Sequence, residues 1–539
     1  MRRWPKIAYN LQRPMESTSI SRRTLLHRDP SGLFVHTVIL EACRRFGRKD
    51  AIVDYSCDPP RRISFLEYGE LVERLAGSFT RHFQPGEMIA IFLCNSWEFC
   101  VSYHAATLAG CIPTLLNPSY REREVRYQLE NSEAIALLTD GPQIRGIDLS
   151  GLPHLREVFT TRTLVAGASE FSKLMHTATT VAAPTPDADP HEVLAALPYS
   201  SGTTGLPKGV MLSHSNLVTN IFQTLAPGEK ATYTQEDITL CCLPLYHIYG
   251  LNVVLNPILA VGGTLVLTPR FDEAKFFQVL IEEQPTFLPL VPPLINCFCQ
   301  ASEEGRFPRE HRVRYVKSGA APLAPELASR FTTLTGIRIR QGYGMTEASP
   351  VTHLGYLEPD LYLPDSIGQA VAETECRLVK GNDSCQGELL MRGPQFMLGY
   401  WKAPEATASA LRDGWYWSGD IASVDANGFY RIVDRVKEMI KYKGFSIAPA
   451  EVEAVLLEHP LVRDCGIVGH PDTAAGEIPC AFVVLRDGQN GNGIVADELC
   501  GYVGERLTHY KQPREVRFVN SIPRNPSGKI LRRILRDEL

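Results

Sequence analysis

The stretch 199–210 reads YSSGTTGLPKGV, with three glycines, two serines, two threonines and one lysine. The apolar run VLAAL at 193–197 precedes it, as expected of a short buried strand, and the residues after it predict a helix that begins near Ser213 or Ser215. A glycine-rich loop between a strand and a helix lets backbone N–H groups converge on an anion. The order Lys-Gly-Val at 208–210 is not the Gly-Lys-Ser/Thr of the common P-loop. The stretch therefore predicts a phosphate loop of another geometry, a flexible linker or a polar turn.

The composition is that of an ordinary globular protein with more than one domain. The chain has 539 residues, 44% of them hydrophobic and 21% charged, which exceeds what one hydrophobic core usually organises. A formal net charge of −5 argues against a nucleic-acid scaffold. The 14 cysteines form no CxxC pair, which favours reduced thiols in the cytoplasm over a disulfide framework. The sequence contains no run of about 18 apolar residues, so a membrane-spanning helix is not predicted.

The pattern of short apolar runs predicts an α/β fold. Strand-like runs alternate with helix-like segments over the first four-fifths of the chain, which indicates layers around a largely buried sheet; examples are 88–94, 134–140, 263–267 and 314–321. From about residue 387, glycine turns separate aromatic-rich runs, which predicts an antiparallel, barrel-like piece. Residues 1–34 form a basic N-terminal extension, with six arginines and one lysine in the first 28 residues.

A second, smaller unit is predicted after Val433. It contains a helix at 448–459, apolar strands at 465–468 and 480–485, and a helix around 496–508. We therefore predict an extension at 1–34, a large domain at 35–434 and a small α+β domain at 435–539.

Four further stretches give the loop its context: QGYGMTEASP at 341–350, GWYWSGD at 414–420, DRVKEMIKYKG at 434–444 and NPSGKILRR at 525–533. Together, in this order and from roughly residue 35 onward, the five stretches resemble the adenylate-forming superfamily. This superfamily includes acyl-CoA synthetases, firefly luciferase and the adenylation domains of peptide synthetases. The stretches LPLYHIYGLN, SGAAPL, GYGMTEASPV and IKYKGFSIAPAEVE look closest to the 4-coumarate:CoA ligase branch.

The resemblance implies a two-step reaction that uses ATP, Mg²⁺ and coenzyme A. A carboxylic acid attacks the α-phosphate of ATP to give an acyl-adenylate and pyrophosphate, and the thiol of coenzyme A then displaces AMP. Because an anion attacks a polyanion, charge must be neutralised where it develops. Thr346 is expected to bond the α-phosphate, and Glu347 is expected to hold Mg²⁺, which prefers oxygen ligands.

The same resemblance assigns the nucleotide site. The loop from Ser200 is expected to close over the β- and γ-phosphates with Lys208 as a point charge, Tyr343 to stack on adenine, and Asp420 and Arg435 to bind the ribose hydroxyls. The implied contacts to ATP and coenzyme A are Ser200, Ser201, Gly202, Thr203, Thr204, Gly205, Lys208, Gly319, Ala320, Ala321, Gly342, Tyr343, Gly344, Met345, Asp420, Arg435, Lys441, Lys443 and Gly444.

Lys529 is the residue that the resemblance assigns to adenylation. It is expected to reach the α-phosphate and the substrate carboxylate. Lys437 falls in the family's hinge pattern, about which the small domain is expected to swing after the first step. The swing would withdraw Lys529 and present the segment 441–444 to the pantetheine of coenzyme A. Lys441 and Lys443 could equally be solvated surface charges.

His247 is expected at the mouth between the acyl pocket and the thiol tunnel. The implied acyl pocket comprises Tyr246, Ile248, Tyr249, Val253, Gly342, Pro350 and Val351. Two positions depart from the coumarate ligases: Val253 replaces a small hydroxyl residue, and Ser446 replaces glutamine. Valine neither donates nor accepts a hydrogen bond. We therefore predict a less polar aryl acid, a medium-chain acid or another hydrophobic acid in preference to 4-coumarate.

Three other interpretations of the protein's function remain open from the sequence. A peptide-synthetase adenylation domain is disfavoured because amino-acid activators place an aspartate where His247 stands. A free-standing carrier protein could nevertheless be the acyl acceptor. A luciferase-like oxygenase would use the same motifs, and a silent adenylate-binding protein is disfavoured by the joint presence of Lys208, Glu347 and Lys529. The sequence allows a monomer or a homodimer.

Overall fold

A computed structural model describes residues 30–176, 189–200, 207–225, 233–358, 360–383, 386–435, 438–443, 445–472, 475–486, 489, 491–525 and 528–539. The helices are α1 (Val35–Phe46), α2 (Phe65–His82), α3 (Trp97–Leu108), α4 (Glu122–Ser132), α5 (Gly141–Ile144), α6 (Phe171–His176), α7 (His214–Leu225), α8 (Asn256–Ala260), α9 (Glu273–Glu283), α10 (Pro292–Glu303), α11 (Pro325–Thr335), α12 (Pro404–Ala410), α13 (Pro449–Leu457), α14 (Gly493–Arg506) and α15 (Arg532–Asp537). A π-helical segment, Gly250–Leu255, precedes α8.

The strands of the large domain are β1 (Asp50–Asp54), β2 (Arg61–Ser64), β3 (Met88–Phe92), β4 (Ile112–Leu115), β5 (Ala136–Thr139), β6 (Glu157–Thr160), β7 (Ser169–Glu170), β8 (Leu194–Ala196), β9 (Tyr199–Ser200), β10 (Lys208–Ser213), β11 (Ile238–Cys241), β12 (Thr264–Leu267), β13 (Phe287–Leu290), β14 (Tyr315–Ser318), β15 (Arg338–Gly344), β16 (Val351–Leu354) and β17 (Gln369–Ala370). They continue as β18 (Glu375–Asp383), β19 (Gln386–Arg392), β20 (Gly399–Tyr400), β21 (Leu411–Arg412), β22 (Trp415–Val424) and β23 (Tyr430–Arg435). The small domain adds β24 (Ile440–Tyr442), β25 (Phe445–Ile447), β26 (Val462–Asp472), β27 (Gly476–Leu485) and β28 (Glu515–Phe518).

Two of the sheets in the large domain have parallel cores. One runs in the order β17-β16-β15-β14-β13-β11-β12-β1-β2, and the other in the order β4-β3-β5-β6-β7. Every residue of β3, β5, β12 and β14 is buried, because helices cover both faces of a parallel sheet and its strands therefore read as continuous apolar runs. The four strands predicted from such runs are confirmed, and with them the α/β class.

The strands on either side of the glycine-rich stretch pair with each other. Strands β9 and β10 are antiparallel, with Lys208 paired to Ser200 and Gly209 paired to Tyr199. The helix predicted to begin near Ser213 or Ser215 is confirmed as α7, which begins at His214. The strand Lys208–Ser213, which was not predicted, lies between the glycine-rich stretch and this helix. The N-terminus of α7 is therefore six residues away from the predicted phosphate loop.

The predicted antiparallel piece is confirmed, although it starts at Glu375 rather than near 387. Strands β18, β19, β22 and β21 pair in that order, and β23 pairs with β22. The register of the last pair places Asp420 opposite Arg435. Antiparallel pairing thus brings together two residues that the sequence separates by a turn.

The small domain has its own sheet, in the order β25-β24-β27-β26 with β28 beside β27. The predicted helices at 448–459 and 496–508 appear as α13 and α14, and the predicted strands are parts of the longer β26 and β27. Apolar residues of these elements form a separate core around Ile467, Val483 and Leu499.

The exact domain boundaries stay predictions. Arg435, the first residue of the predicted small domain, is the last residue of β23. The proposed hinge Lys437 and most of the basic extension lie outside the described residues. Within the described ranges, no helix combines the length and apolar character that crossing a membrane requires.

Candidate active site

The first part of the site joins the predicted adenine and ribose residues. The Tyr343 hydroxyl donates a hydrogen bond of 2.5 Å to Asp420 Oδ2, and Arg435 Nε lies 3.0 Å from Asp420 Oδ1. Asp420 is only 4% exposed. Burial and the neighbouring carboxylate raise the pKa of Tyr343 well above its usual value, so its hydroxyl remains a donor. Strands β15, β22 and β23 therefore hold a buried carboxylate between one cation and one phenol.

The second part contains the predicted magnesium ligand, Glu347, which is 8% exposed. Two hydroxyl groups donate to the same carboxylate oxygen, Oε1: Ser200 Oγ at 2.9 Å and the Tyr400 hydroxyl at 2.8 Å. Ser200 is the last residue before the glycine-rich loop. The structure thus connects the start of the predicted phosphate loop directly to the predicted metal carboxylate. Thr346 stands beside Glu347 in the short 3₁₀ turn Thr346–Ala348.

The lysine at the end of the glycine-rich loop lies over the ring of Tyr400, the tyrosine that donates to this carboxylate. Lys208 Nζ is 5.6 Å from the centre of the Tyr400 ring, and the Tyr400 hydroxyl binds Glu347. Lys208 is held at the base of the hairpin by its pairing with Ser200. The predicted loop contacts Ser201, Gly202, Thr203, Thr204 and Gly205 lie outside the described residues.

Backbone geometry explains two of the predicted small residues near the nucleotide. Ala320 has a φ of 70°, a left-handed conformation that is uncommon for a residue with a Cβ and that often marks a functional site. At Gly344, an added Cβ would lie 2.0 Å from the carbonyl oxygen of Pro350. A side chain there would displace the turn that carries Thr346 and Glu347, so this glycine permits a close approach of two backbones.

The segment that carries Lys529 packs against the large domain, near the residues that are predicted to bind the ribose. The adjacent Gly528 has a φ of 83°, and an added Cβ would lie 2.8 Å from the Cδ and Cγ of Pro293. Asn525 stabilises the loop by accepting a 2.8 Å hydrogen bond from the Lys529 amide. The pKa of Lys529 is lowered to about 8, first by burial and then by Arg435, while Glu438 and Asp420 oppose the shift. The small domain therefore brings its lysine within electrostatic range of the Asp420–Arg435 pair.

This lowered pKa predicts an alkaline limit to the first half-reaction. The cation of Lys529 is the form that stabilises phosphate charge, and it is lost as the pH rises through about 8. We expect kcat/KM for ATP in adenylate formation to fall above that pH, since this ratio reports groups of the free enzyme. The measurement is a pyrophosphate-release profile from pH 6 to 10.

Lys529→Arg is the control for this alkaline decrease in kcat/KM, because a guanidinium does not titrate between pH 6 and 10. The variant should form the adenylate more slowly, but its kcat/KM for ATP should not fall above about pH 8. The same fall in the variant would show that another group titrates.

His247 is a neutral imidazole in this structure. Its Nδ1 accepts a 3.2 Å hydrogen bond from the Tyr249 amide, so the proton of the neutral ring is on Nε2. Burial lowers the pKa of His247 to about 4. At neutral pH the ring can donate through Nε2–H but cannot offer a positive charge.

The predicted acyl-pocket residues belong to one buried cluster. Ile248, Tyr249, Val253 and Val351 are core members, and Tyr246 packs against them. The Tyr249 ring lies about 3.5 Å from the position that a Cβ on Gly319 would take, and the Gly342 carbonyl oxygen lies equally close to that position. The structure therefore sets the predicted acyl pocket directly beside the predicted nucleotide backbone.

Lys317 is a buried lysine at this junction that was not predicted from the sequence. It is 2% exposed, and its Nζ has no hydrogen-bond partner among the described residues. Its carbonyl oxygen accepts a 2.8 Å hydrogen bond from Tyr249, and its Cε lies 3.7 Å from the Cβ position of Gly342. Burial and Arg340 lower the pKa of Lys317 well below its usual value. Its sequence context, a lysine at a strand end, carried no signal of burial.

The other predicted coenzyme contacts lie on the small domain. Lys441 and Lys443 are exposed, and Lys443 Nζ is 5.5 Å from the Tyr442 ring. Gly444 and the side chain of Ser446 lie outside the described residues. The roles of Lys441 and Lys443 toward coenzyme A stay predictions.

The residues around Glu347 fit a divalent cation bound together with phosphate. In the described residues, no group of three or more histidine, cysteine or acidic side chains forms a metal cage. A single fixed carboxylate beside a phosphate loop is the arrangement that Mg²⁺ uses when nucleotide phosphates supply other ligands. Glu347 is the residue that would hold such an ion, and Ser200 supports it by donating to Oε1.

Family models match most of the chain. The AMP-binding enzyme model matches residues 39–401, and the AMP-binding enzyme C-terminal domain model matches residues 451–529. The chain is 36% identical over 524 residues to a 4-coumarate–CoA ligase 2 of Nicotiana tabacum, covering 95% of each chain. It is also 36% identical over 534 residues to a 4-coumarate–CoA ligase 1 of Solanum tuberosum, covering 95% of this chain and 94% of the relative.

A solved structure gives the same architecture. A benzoate CoA ligase from Burkholderia xenovorans LB400 superposes with a TM-score of 0.83 at 26% identity, covering 94% of this chain and 100% of the other.

Proposed function

The chain belongs to the AMP-binding enzyme family and is an ATP-dependent, AMP-forming acid–CoA ligase, and from this premise we propose that its acyl substrate is a hydrophobic aryl acid. The position of Lys529 beside Arg435 and Asp420 supports the assignment of these residues to adenylation. This position brings a lysine of the small domain close to the two residues that are proposed to bind the ribose, as the family resemblance implies. The relatives named for 4-coumarate and benzoate support an aryl substrate.

The first half-reaction joins the acid to AMP. A carboxylate oxygen forms a bond to the α-phosphorus, while the bond from that phosphorus to the bridging oxygen breaks and pyrophosphate leaves with the electron pair. Lys529 and Thr346 are proposed to hold the α-phosphate oxygens, and Lys208 the leaving pyrophosphate. Mg²⁺, when held by Glu347, would neutralise phosphate charge. These groups act by fixed electrostatics, which is how phosphoryl-type transfers are mainly accelerated.

The second half-reaction transfers the acyl group to sulfur. The thiol of coenzyme A releases its proton to water, its sulfur attacks the acyl carbonyl carbon, and AMP leaves with the electron pair of the broken bond between that carbon and the phosphate oxygen. Because His247 is neutral, with its proton on Nε2, we propose that it donates a hydrogen bond at the pocket mouth and does not act as a cation.

The pocket favours an acid that is apolar along its length. Val253 is 2% exposed and offers no hydrogen bond, as the sequence indicated. Lys317 qualifies that expectation, since its buried Nζ supplies a donor that valine lacks. We propose that ring substituents able to accept a hydrogen bond are tolerated near Lys317, and that purely aliphatic acids gain less from the site.

The proposal is tested by pyrophosphate release from a panel of cinnamates, benzoates, fatty acids and amino acids. Each acid is assayed with Mg-ATP, with and without coenzyme A. We expect sustained turnover with an aryl acid only when coenzyme A is present. Preference for a fatty acid would reject the substrate class but keep the ligase. Turnover with amino acids alone, or without a coenzyme A requirement, would favour a carrier protein or another acceptor and contradict the role of His247.

We also propose a cytoplasmic location. Thirteen described cysteines are all free thiols, as expected in a reducing compartment.

A further inference from the structure

Tyr400 contacts the phosphate and metal region through both ends of its side chain. Its hydroxyl donates a 2.8 Å hydrogen bond to Glu347 Oε1, and its ring lies 5.6 Å from Lys208 Nζ. One side chain therefore touches both the predicted metal carboxylate and the predicted phosphate lysine.

The backbone around Tyr400 is fixed to the same two elements. Strand β20 pairs with β10, with Tyr400 opposite Val210. The Met397 amide donates a 2.8 Å hydrogen bond to the Glu347 carbonyl oxygen, and the Tyr400 amide donates a 2.9 Å bond to Thr407 Oγ1. Because the main chain is anchored on both sides, the hydroxyl is presented to Glu347 in one orientation.

The hydroxyl of Tyr400 remains protonated. Burial and the Glu347 charge raise the pKa of Tyr400 far above its usual value. The hydroxyl therefore serves Glu347 as a hydrogen-bond donor. Partners of this kind fix the orientation of a metal-binding carboxylate.

We propose that Tyr400 is a positioning residue for the magnesium carboxylate. Together with Ser200 it donates to Glu347 Oε1, so Oε2 is the oxygen that would be available to the ion that accompanies ATP. Its ring also contacts Lys208 Nζ through a cation–π contact of 5.6 Å. This proposal rests on the proposed function, because it takes Glu347 as the metal ligand.

The test compares Tyr400→Phe with the unchanged enzyme in two measurements. One is Mn²⁺ binding in the presence of ATP and without an acid, read from the signal of free Mn²⁺ in electron paramagnetic resonance. The other is the Mg²⁺ dependence of pyrophosphate release. We expect the variant to weaken metal affinity by about 10- to 100-fold, as is typical when a residue that orients a metal ligand is lost. At saturating Mg²⁺ the KM for the acid should change less than about twofold, since the acyl pocket keeps its contacts.

Tyr55→Phe is a closely matched control. The Tyr55 hydroxyl also donates to carboxylates, at 2.8 Å to Glu283 and 2.9 Å to Glu282. A lysine again lies over the ring, with Lys275 Nζ at 5.2 Å. The same atom is removed from the same kind of contact on another part of the surface. This control should leave metal affinity unchanged.

A second variant, Tyr400→Leu, separates the two ends of the side chain. It removes the ring as well as the hydroxyl, so it should raise the KM for ATP beyond the effect of Tyr400→Phe by releasing Lys208.

Glu347→Gln distinguishes failure of this proposal from failure of the proposed function. If Glu347→Gln weakens Mn²⁺ binding and Tyr400→Phe does not, the positioning role is wrong and the metal assignment stands. If Glu347→Gln leaves Mn²⁺ binding unchanged, the metal assignment itself is wrong and the role of Tyr400 falls with it. In the supporting result both variants weaken binding, and the double variant is no weaker than Glu347→Gln alone.

Discussion

Replacing Lys529 with alanine is expected to slow acyl-adenylate formation by about 10²–10³-fold, the usual cost of losing one preorganised donor to developing charge. Thioester formation from a supplied acyl-adenylate should be largely unaffected. The difference between the two half-reactions is expected because the family resemblance assigns Lys529 to the first step only.

The structure gives this expectation a physical basis. The Lys529 loop packs against Pro293 of the large domain, and the lysine feels both Arg435 and Asp420. Its cation is therefore held at the proposed nucleotide site in a half-buried environment, where a charge interacts with phosphate more strongly than it does in water. A solvated lysine on the terminal helix would contribute far less.

The measurement is single-turnover kinetics of each half-reaction with the same acid. Arg533→Ala is the matched control, since Arg533 is an exposed cation four residues further along the same basic segment. It should change neither half-reaction. Equal loss of both half-reactions in Lys529→Ala would show that the lysine acts throughout the cycle and would contradict its assignment to the first step.

Asp420→Asn is expected to lower kcat/KM for ATP by at least about a hundredfold. A carboxylate that accepts both ribose hydroxyls makes two charge-assisted hydrogen bonds, each worth about 1.5–3 kcal/mol. The amide can accept at one oxygen only. The substitution also leaves Arg435, which is 3.0 Å from Asp420, without its partner charge at the site.

The effect should fall on ATP and not on the acid. We expect the KM for ATP to rise and the KM for the acid to change less than about twofold, as measured by pyrophosphate release. Asp237→Asn is the control for general damage, because Asp237 is another buried aspartate, 2% exposed, that pairs with an arginine, Arg314. If both variants lower the melting temperature but only Asp420→Asn raises the KM for ATP, the ribose role is supported. Equal KM values in wild type and Asp420→Asn would reject it.

The family resemblance was sufficient to assign those residues of the site that lie in its motifs. It assigned Asp420 and Arg435 from two separate motifs, and the β22–β23 register places them opposite each other. The strands at 88–94 and 314–321 were recognisable because burial on both faces requires continuous apolar residues. The connection after the glycine-rich loop was misread, since Lys208–Ser213 adds a strand before the helix.

Residues that act through distant contacts were not predictable in the same way. Tyr400 is 53 residues from Glu347 along the chain, and nothing in its own segment indicates a carboxylate partner. The burial of Lys317 depends on how β14, Tyr249 and Gly342 come together. Both positions are set by tertiary packing, which leaves no period or motif in a single sequence.

The most direct test of the two-step reaction is to incubate the enzyme with Mg-ATP and the acid that is best in the panel, first without coenzyme A, and to identify the products by mass spectrometry. We predict enzyme-bound acyl-adenylate with one equivalent of pyrophosphate, followed on addition of coenzyme A by the acyl-CoA thioester and AMP. Formation of ADP and inorganic phosphate, or an acyl-adenylate that coenzyme A fails to discharge, would contradict it.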